Sequence, residues 1–252
     1  MGILDDKVVV VSGIGPGLGQ AIALQAARAG ASVVLAARTE KRLEKVAAAV
    51  QEIGGRALVV PADITDDGSA QQLLDRTVEE LGRVDALVNN AFVMSPIEPV
   101  TDADFDAIRS GIETNVLGAL RLSKVFVPAL SESKGAIVMI NSAVLRHSRP
   151  EYGAYKIGKA ALLAMSQTLA SDVGPRGVRV NSVAPGYIYA DSVKWYFDHL
   201  AQERGVTHQD VYAETAATCD LRVRIRMAAG HESLNAGVAA GIALYEVARH
   251  RA

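Results

Sequence analysis

Residues 8–24 read Val-Val-Val-Val-Ser-Gly-Ile-Gly-Pro-Gly-Leu-Gly-Gln-Ala-Ile-Ala-Leu. Four consecutive valines are β-branched and continuously apolar, the pattern of a strand covered on both faces. A glycine-rich turn follows, from Gly13 to Gly19, and then apolar residues at helical spacing begin at Leu18. Glycine permits positive φ and close approach of backbone N–H groups, and a helix N-terminus presents unpaired donors and partial positive charge. Strand, glycine turn and helix in that order form a cradle for a phosphate-bearing ligand. The spacing is G-x-x-x-G-x-G, which differs from the six-residue dinucleotide fingerprint.

Outward from this unit the same alternation repeats. Lys7–Ser12, Ser32–Ala36, Ala57–Val60, Ala86–Asn89, Ala136–Asn141 and Val178–Val183 read as six strands. Stretches near 18–29, 40–53, 67–81, 102–130 and 152–173 carry apolar residues at helical periodicity. Alternating strands and helices of this kind predict an α/β fold, a doubly wound parallel sheet with helices on both faces.

Composition narrows the function. The chain has 252 residues, half of them apolar and 21% charged, enough for one large domain spanning 1–252. A net charge of −2 provides no basic field for nucleic acid or an anionic membrane. The one cysteine, Cys219, excludes an internal disulfide and a cysteine-based metal cluster. Asp5 and Asp6 stand where a secretory signal would need positive charge, and no apolar run is long enough to span a bilayer. The expectation is a cytoplasmic protein that handles a small molecule without a metal.

Two further positions point to chemistry. The second predicted strand runs into Ala37-Arg38-Thr39, about 20 residues past the glycines, where an NAD site normally carries an acid for the ribose 2′-hydroxyl. Ala37 cannot serve, whereas Arg38 and Thr39 suit a 2′-phosphate. NADP(H) is favoured, and nearby Glu40 leaves NAD(H) open. Tyr155 and Lys159 then lie four residues apart, on one helix face, where an ammonium can stabilise a phenolate and lower its pKa.

Taken in order, the glycine run, Ala62-Asp63-Ile64, Asn89-Asn90-Ala91, Asn115, Ser142, Tyr155 with Lys159, and Pro185-Gly186 resemble the short-chain dehydrogenase/reductase family across residues 5 to about 222. The resemblance implies reversible hydride transfer between a nicotinamide cofactor and a carbonyl or secondary alcohol. It implies Tyr155 as general acid/base, Ser142 on the substrate oxygen, Lys159 on the nicotinamide ribose and Asn115 in a water relay. It further implies cofactor contacts at Gly13, Gly17, Leu18, Gly19, Arg38, Thr39, Asp63, Ile64, Asn89, Ala91, Pro185, Gly186 and Ile188, with Tyr155 and Lys159 also facing the cofactor. A homodimer or homotetramer follows from the same resemblance.

The chain departs from that pattern in three places. Phe92 replaces the usual glycine after Asn-Asn-Ala, where it either narrows the cofactor cleft or packs beneath it. Ala190 stands where a threonine commonly holds the carboxamide, with Ser192 as a substitute. Past Asp220-Leu221-Arg222 the familiar last helix and strand are missing. The segment Gly230–Glu246 resembles the last motif of SPOUT-type RNA methyltransferases, yet Leu234, Val238, Ile242 and Tyr245 also form one apolar helical face. The expectation for the tail, about 222–252, is a helix in place of the last strand. Tyr187, Tyr189, Trp195, Tyr196 and Phe197 concentrate aromatic rings in a substrate lid, about 187–218, that either favours a ring-bearing substrate or packs the lid. The alternative function is a dinucleotide-binding protein without turnover, and a minor one is a methyltransferase fusion remnant.

Overall fold

The four valines do form the central strand, and their alternating side chains enter two different cores. In the computed structural model, which describes residues 2–146, 148–188 and 191–217, β1 spans Val8–Ser12. Val8 and Val10 pack into one hydrophobic cluster with Leu73, Leu122 and Phe126, and Val9 and Val11 into another with Ile22, Leu35 and Leu43. Such a strand has helices on both sides. Each fully buried valine contributes roughly 1.5–3 kcal/mol of hydrophobic stabilisation.

The six strands are β1, β2 (Ser32–Ala37), β3 (Arg56–Pro61), β4 (Ala86–Asn89), β5 (Ala136–Ile140) and β6 (Arg179–Val183). All adjacent pairs are parallel, in the order β3-β2-β1-β4-β5-β6. The order reverses direction between β1 and β4, and a crevice opens at the carboxyl ends of strands at such a switch point. Helices α1 (Leu18–Arg28), α2 (Glu40–Glu52), α3 (Asp67–Leu81), α4 (Phe105–Ile112), α5 (Ala119–Ser133), α6 (Gly153–Val173), α7 (Asp191–Arg204) and α8 (His208–Ala217) complete the described elements.

One predicted helix is two. The 102–130 stretch divides into α4 and α5 at a wide π turn, Glu113–Gly118, which contains Asn115. Such turns insert one residue into the helical ladder and recur at functional sites. The cause is tertiary: Asn115 accepts the Val93 N–H at 2.8 Å and donates to the Val93 carbonyl at 2.9 Å, so the helix must bulge toward the 90–95 loop.

At the opposite end of the sheet, Asp85 ties β1 to β4. Arg83 donates to it through Nε and Nη2 at 2.8 and 2.7 Å, Lys7 at 3.3 Å, and the Val8 N–H at 3.0 Å. Burial, the largest influence, pushes this carboxyl up, but Arg83, the Val8 N–H and Lys7 together hold it below its ordinary value. A depressed carboxylate stabilises the fold above its unfolded pKa and loses that contribution as pH falls through its folded value. Asp85→Asn should therefore cost about 1–3 kcal/mol near pH 7, toward the low end because the Lys7 and Arg83 side chains are 39% and 47% exposed. Denaturant unfolding of both proteins checks this: the gap should close progressively below about pH 4, and a gap independent of pH would contradict it.

His147, Tyr189, Ala190, the side chain of Ser192 and residues 218–252 fall outside the described structure. The expected C-terminal helix and the methyltransferase-like segment 230–246 lie there.

Candidate active site

The glycines after β1 divide into two roles. A Cβ on Gly13 would come within 2.3 Å of Ala91 Cα, and one on Gly19 within 2.6 Å of the Gly13 carbonyl oxygen, so both permit backbone against backbone. Gly15 and Gly17 instead face open space, with no atom within 4 Å of a Cβ position, and Gly17 adopts φ 110°. Gly17 is also the N-cap of α1, which has no side-chain cap and no acidic residue in its first turn. That open, uncapped helix start, followed by Leu18, fits the pyrophosphate of a dinucleotide.

Asn90 fixes this turn. Its Nδ2 donates to the carbonyls of Ser12 and Gly13 at 3.1 and 2.8 Å, and its own N–H donates to Ser12 Oγ at 3.2 Å. The sequence reading singled out the flanking Asn89 and Ala91. Asn89 donates to Ser123 Oγ and Met139 Sδ, and its buried Oδ1 has no partner among the described residues. Period-two alternation along the strand end would have pointed to Asn90.

Arg38 and Thr39 project from the end of β2, both exposed and without a side-chain hydrogen bond among the described residues. Arg38 lies close enough to Asp63 to help depress that carboxyl, behind the hydrogen bonds that Asp63 Oδ1 accepts from the Thr65 N–H and Oγ1 at 2.9 and 2.7 Å. Ile64 is buried against Gly118, where a Cβ would sit 2.8 Å from Ile64 Cδ1.

Ser142 follows β5 directly. Its Oγ accepts the Val144 N–H at 3.2 Å, and the Ala143 N–H donates to the Pro185 carbonyl at 2.8 Å, which draws the 185–188 loop, with Gly186 and Ile188, to the same edge. Tyr155 lies in the first turn of α6, with Ser142 near enough to oppose the effect of burial on its phenol. Lys159 lies one turn further, 3% exposed, with Nζ donating to the Ile140 carbonyl at 2.8 Å. The Ser142 cluster and the glycine cradle end strands β5 and β1, separated only by β4, so roughly 10 Å lies between their strand ends.

The electrostatics differ from the expectation that Lys159 lowers the Tyr155 pKa. Burial pushes the Tyr155 phenol up, opposed by the hydrogen bond from Ser142. Lys159 Nζ sits 5.6 Å from the centre of the Tyr155 ring, over its face, and is directed to Ile140. Burial brings Lys159 itself down to about 8. Asn115 bonds both ends of its amide to Val93, which gives it a hold on the loop carrying Phe92. Phe92 is 55% exposed, not packed beneath the cleft, and its ring centre is 5.9 Å from Lys159 Nζ.

Beside this cluster lies a cavity of about 630 Å³ lined in part by Arg149, Tyr187, Trp195, Tyr196 and His199. The lid rings divide between the two roles considered. Phe197 is buried with Ala201 and Val211 and meets Tyr187 edge-on, whereas Trp195 is 66% exposed and stacked on His199. Tyr152, which the sequence does not single out, is pushed well up by burial, with Tyr196 and Tyr187 near enough to add to the effect. Its position one turn before Tyr155 was the available signal. Arg149 Nη1 donates to the Tyr187 hydroxyl at 3.5 Å.

The short chain dehydrogenase family profile matches residues 7–200. This chain belongs to the short-chain dehydrogenase family. It is 31% identical over 209 residues to 7alpha-hydroxysteroid dehydrogenase of Escherichia coli K12, covering 82% of this chain and 81% of that protein. NAD+-bound xylitol dehydrogenase superposes with a TM-score of 0.78 at 28% identity, covering 85% of each chain. An alcohol dehydrogenase from Thermococcus sibiricus, complexed with 5-hydroxy-NADP, superposes at 0.68 with 30% identity, over 72% of this chain and 77% of that one. The protein is accordingly a nicotinamide-dependent oxidoreductase acting on alcohols or carbonyls.

Proposed function

We propose that the described chain is one catalytic unit, a carbonyl reductase or alcohol dehydrogenase preferring NADP(H), in which Tyr155 is the general acid/base. The observation that carries this reading is the gathering of Ser142, Tyr155 and buried Lys159 at the strand ends next to the open glycine cradle, with Ser142 near enough to bear on the Tyr155 phenol. Gly13, Gly17, Leu18 and Gly19 hold the pyrophosphate, Arg38 and Thr39 the 2′-phosphate, and Asp63 and Ile64 the adenine side. Asn89 and Ala91 border the ribose, and Pro185, Gly186 and Ile188 the nicotinamide. When bound, the nicotinamide supplies or accepts the hydride.

The protein residues manage the oxygen. Ser142 donates to the substrate oxygen, with its own Oγ oriented by the Val144 N–H. Tyr155 gives that oxygen a proton in reduction and removes one in oxidation. Lys159, largely protonated below about pH 8, stabilises the phenolate left behind. Hydrogen bonds aimed at a developing alkoxide in a buried site supply much of the rate.

The missing acid at Ala37 and the exposed Arg38, whose side chain makes no hydrogen bond among the described residues, support NADP(H). Arg38→Ala should weaken NADPH about 10- to 100-fold, the size of a lost charge-assisted hydrogen bond, and leave NADH nearly unchanged. Titration of both cofactors by nicotinamide fluorescence checks this. Equal losses for the two, or no loss, would remove the preference.

The substrate is a small alcohol or carbonyl compound that enters beside Trp195 and Tyr187. The exposed Phe105, Leu117 and Ile157 on α4, the π turn and α6 support self-association into a dimer or tetramer, and a cytoplasmic location suits this chemistry. A second reading, cofactor binding without turnover, draws on Phe92 lying over Lys159. Turnover with any member of a broad carbonyl panel would remove it.

A further inference from the structure

Three aromatic and cationic groups stack at the site in a way the reaction does not require. Lys159 Nζ lies between two rings, 5.6 Å from the centre of Tyr155 and 5.9 Å from that of Phe92. Both distances fall within the range over which a ring face attracts a cation. The ammonium is 3% exposed, and one of its donors is committed to the Ile140 carbonyl. The ring of Phe92, by contrast, is more than half exposed, so core packing does not hold it in place. It lies on the ammonium with its remaining surface in solvent.

The backbone on either side of Phe92 is fixed. Ala91 abuts Gly13, and its neighbour Asn90 is bonded to Ser12 and Gly13. Val93 is held through both its N–H and its carbonyl by Asn115. Motion at position 92 is therefore confined to rotation of the side chain. A ribose hydroxyl bonding Lys159 must come within about 3 Å of Nζ, on a side the ring now covers.

We propose that Phe92 is a side-chain gate over Lys159, which rotates away before the ribose of a nicotinamide cofactor reaches that ammonium and so sets cofactor affinity. The proposal rests on the reading of Lys159 as a cofactor-binding residue. The closed arrangement is the more populated one in the free protein, and the cofactor binds only the open fraction.

Phe92→Ala removes the cover without touching the core. In the free protein, trace acetylation with acetic anhydride, read by peptide mass spectrometry and normalised to exposed Lys41, should rise roughly three- to tenfold at Lys159. The dissociation constants of NADPH and NADH should both fall by a similar factor, measured by nicotinamide fluorescence. Phe92→Gly should behave in the same direction. If the constants are unchanged or rise, or if Lys159 acetylation is unchanged, the gate is overturned. If neither wild type nor variant binds either dinucleotide, the assignment of the cofactor site fails instead, and the gate falls with it.

Discussion

Tyr155→Phe should lower turnover by about 10²- to 10⁴-fold, the usual contribution of a positioned acid or base, while NADPH binding stays within a factor of two or so. The substitution removes one oxygen and keeps the ring that lies beneath Lys159. Folding is not at stake, since only the hydroxyl is lost and the packed ring stays. The pH dependence gives a second handle. Burial holds the Tyr155 phenol above its ordinary value, so it remains protonated at neutral pH and is ready to donate in reduction. Carbonyl reduction should be nearly flat around neutrality and decline in alkali, and alcohol oxidation, which needs the phenolate, should rise with pH. Neutralisation of Lys159 above about pH 8 removes a charge that favours the phenolate and makes the rise shallower than that of an isolated phenol. Steady-state profiles in both directions check these slopes, and a bell centred on the histidine range would place the acid elsewhere.

The second large effect separates two glycines that stand two residues apart, Gly13 and Gly15. Gly13→Ala should destabilise by about 2–6 kcal/mol, because overpacking and a left-handed φ each cost about 1–3 kcal/mol. The new Cβ would meet Ala91 Cα at 2.3 Å and N at 2.5 Å, atoms of a backbone that cannot step aside, at φ 72°. The turn is further fixed by the Gly13 N–H donating to the Ala36 carbonyl at 2.8 Å. A melting temperature lower by roughly 5–20 °C is expected for a chain of this size. Gly15→Ala has nothing within 4 Å and no positive φ, so its melting temperature should hold. The methyl group would instead intrude on the phosphate cradle and weaken dinucleotide binding. Melting and cofactor titration of the two variants check the contrast, and equal melting temperatures would refute it.

Much of the fold was legible because its signals are local. Most of the strands are β-branched or apolar runs, fully buried in β1, β4 and β5, whereas β6 (Arg-Val-Asn-Ser-Val) is mixed and none of its residues is buried. Ala86–Asn89 matches to the residue, β3 extends by one residue at each end, and the others shift by one residue at one end. The division of 102–130 was not legible. Apolar spacing continues through Ile112, Val116 and Ala119, and the inserted turn answers to a partner, Val93, more than twenty residues upstream.

The site shows the same division. Tyr155 and Lys159 announce themselves by helical spacing, and the glycine run by its place between strand and helix. What those groups do to one another depends on angles that spacing does not carry. Lys159 over the ring face, directed to Ile140, is a different electrostatic partner from an ammonium at the phenol oxygen. Phe92 was visible as an oddity of composition, but only the fold brings its ring onto Lys159. Asp85 gave no signal beyond the neighbouring Arg83, since Lys7 and the Val8 N–H meet it only when β1 pairs with β4.

The most direct test of hydride transfer by this site uses NADPH deuterated at nicotinamide C4 with a panel of ketones and aldehydes, in wild type and Tyr155→Phe. Wild type should place deuterium on the carbinol carbon of at least one product, and the variant should show almost none in the same time. Binding of NADPH by both proteins with no deuterium in any product, or equal deuterium from both, would contradict Tyr155-dependent reduction.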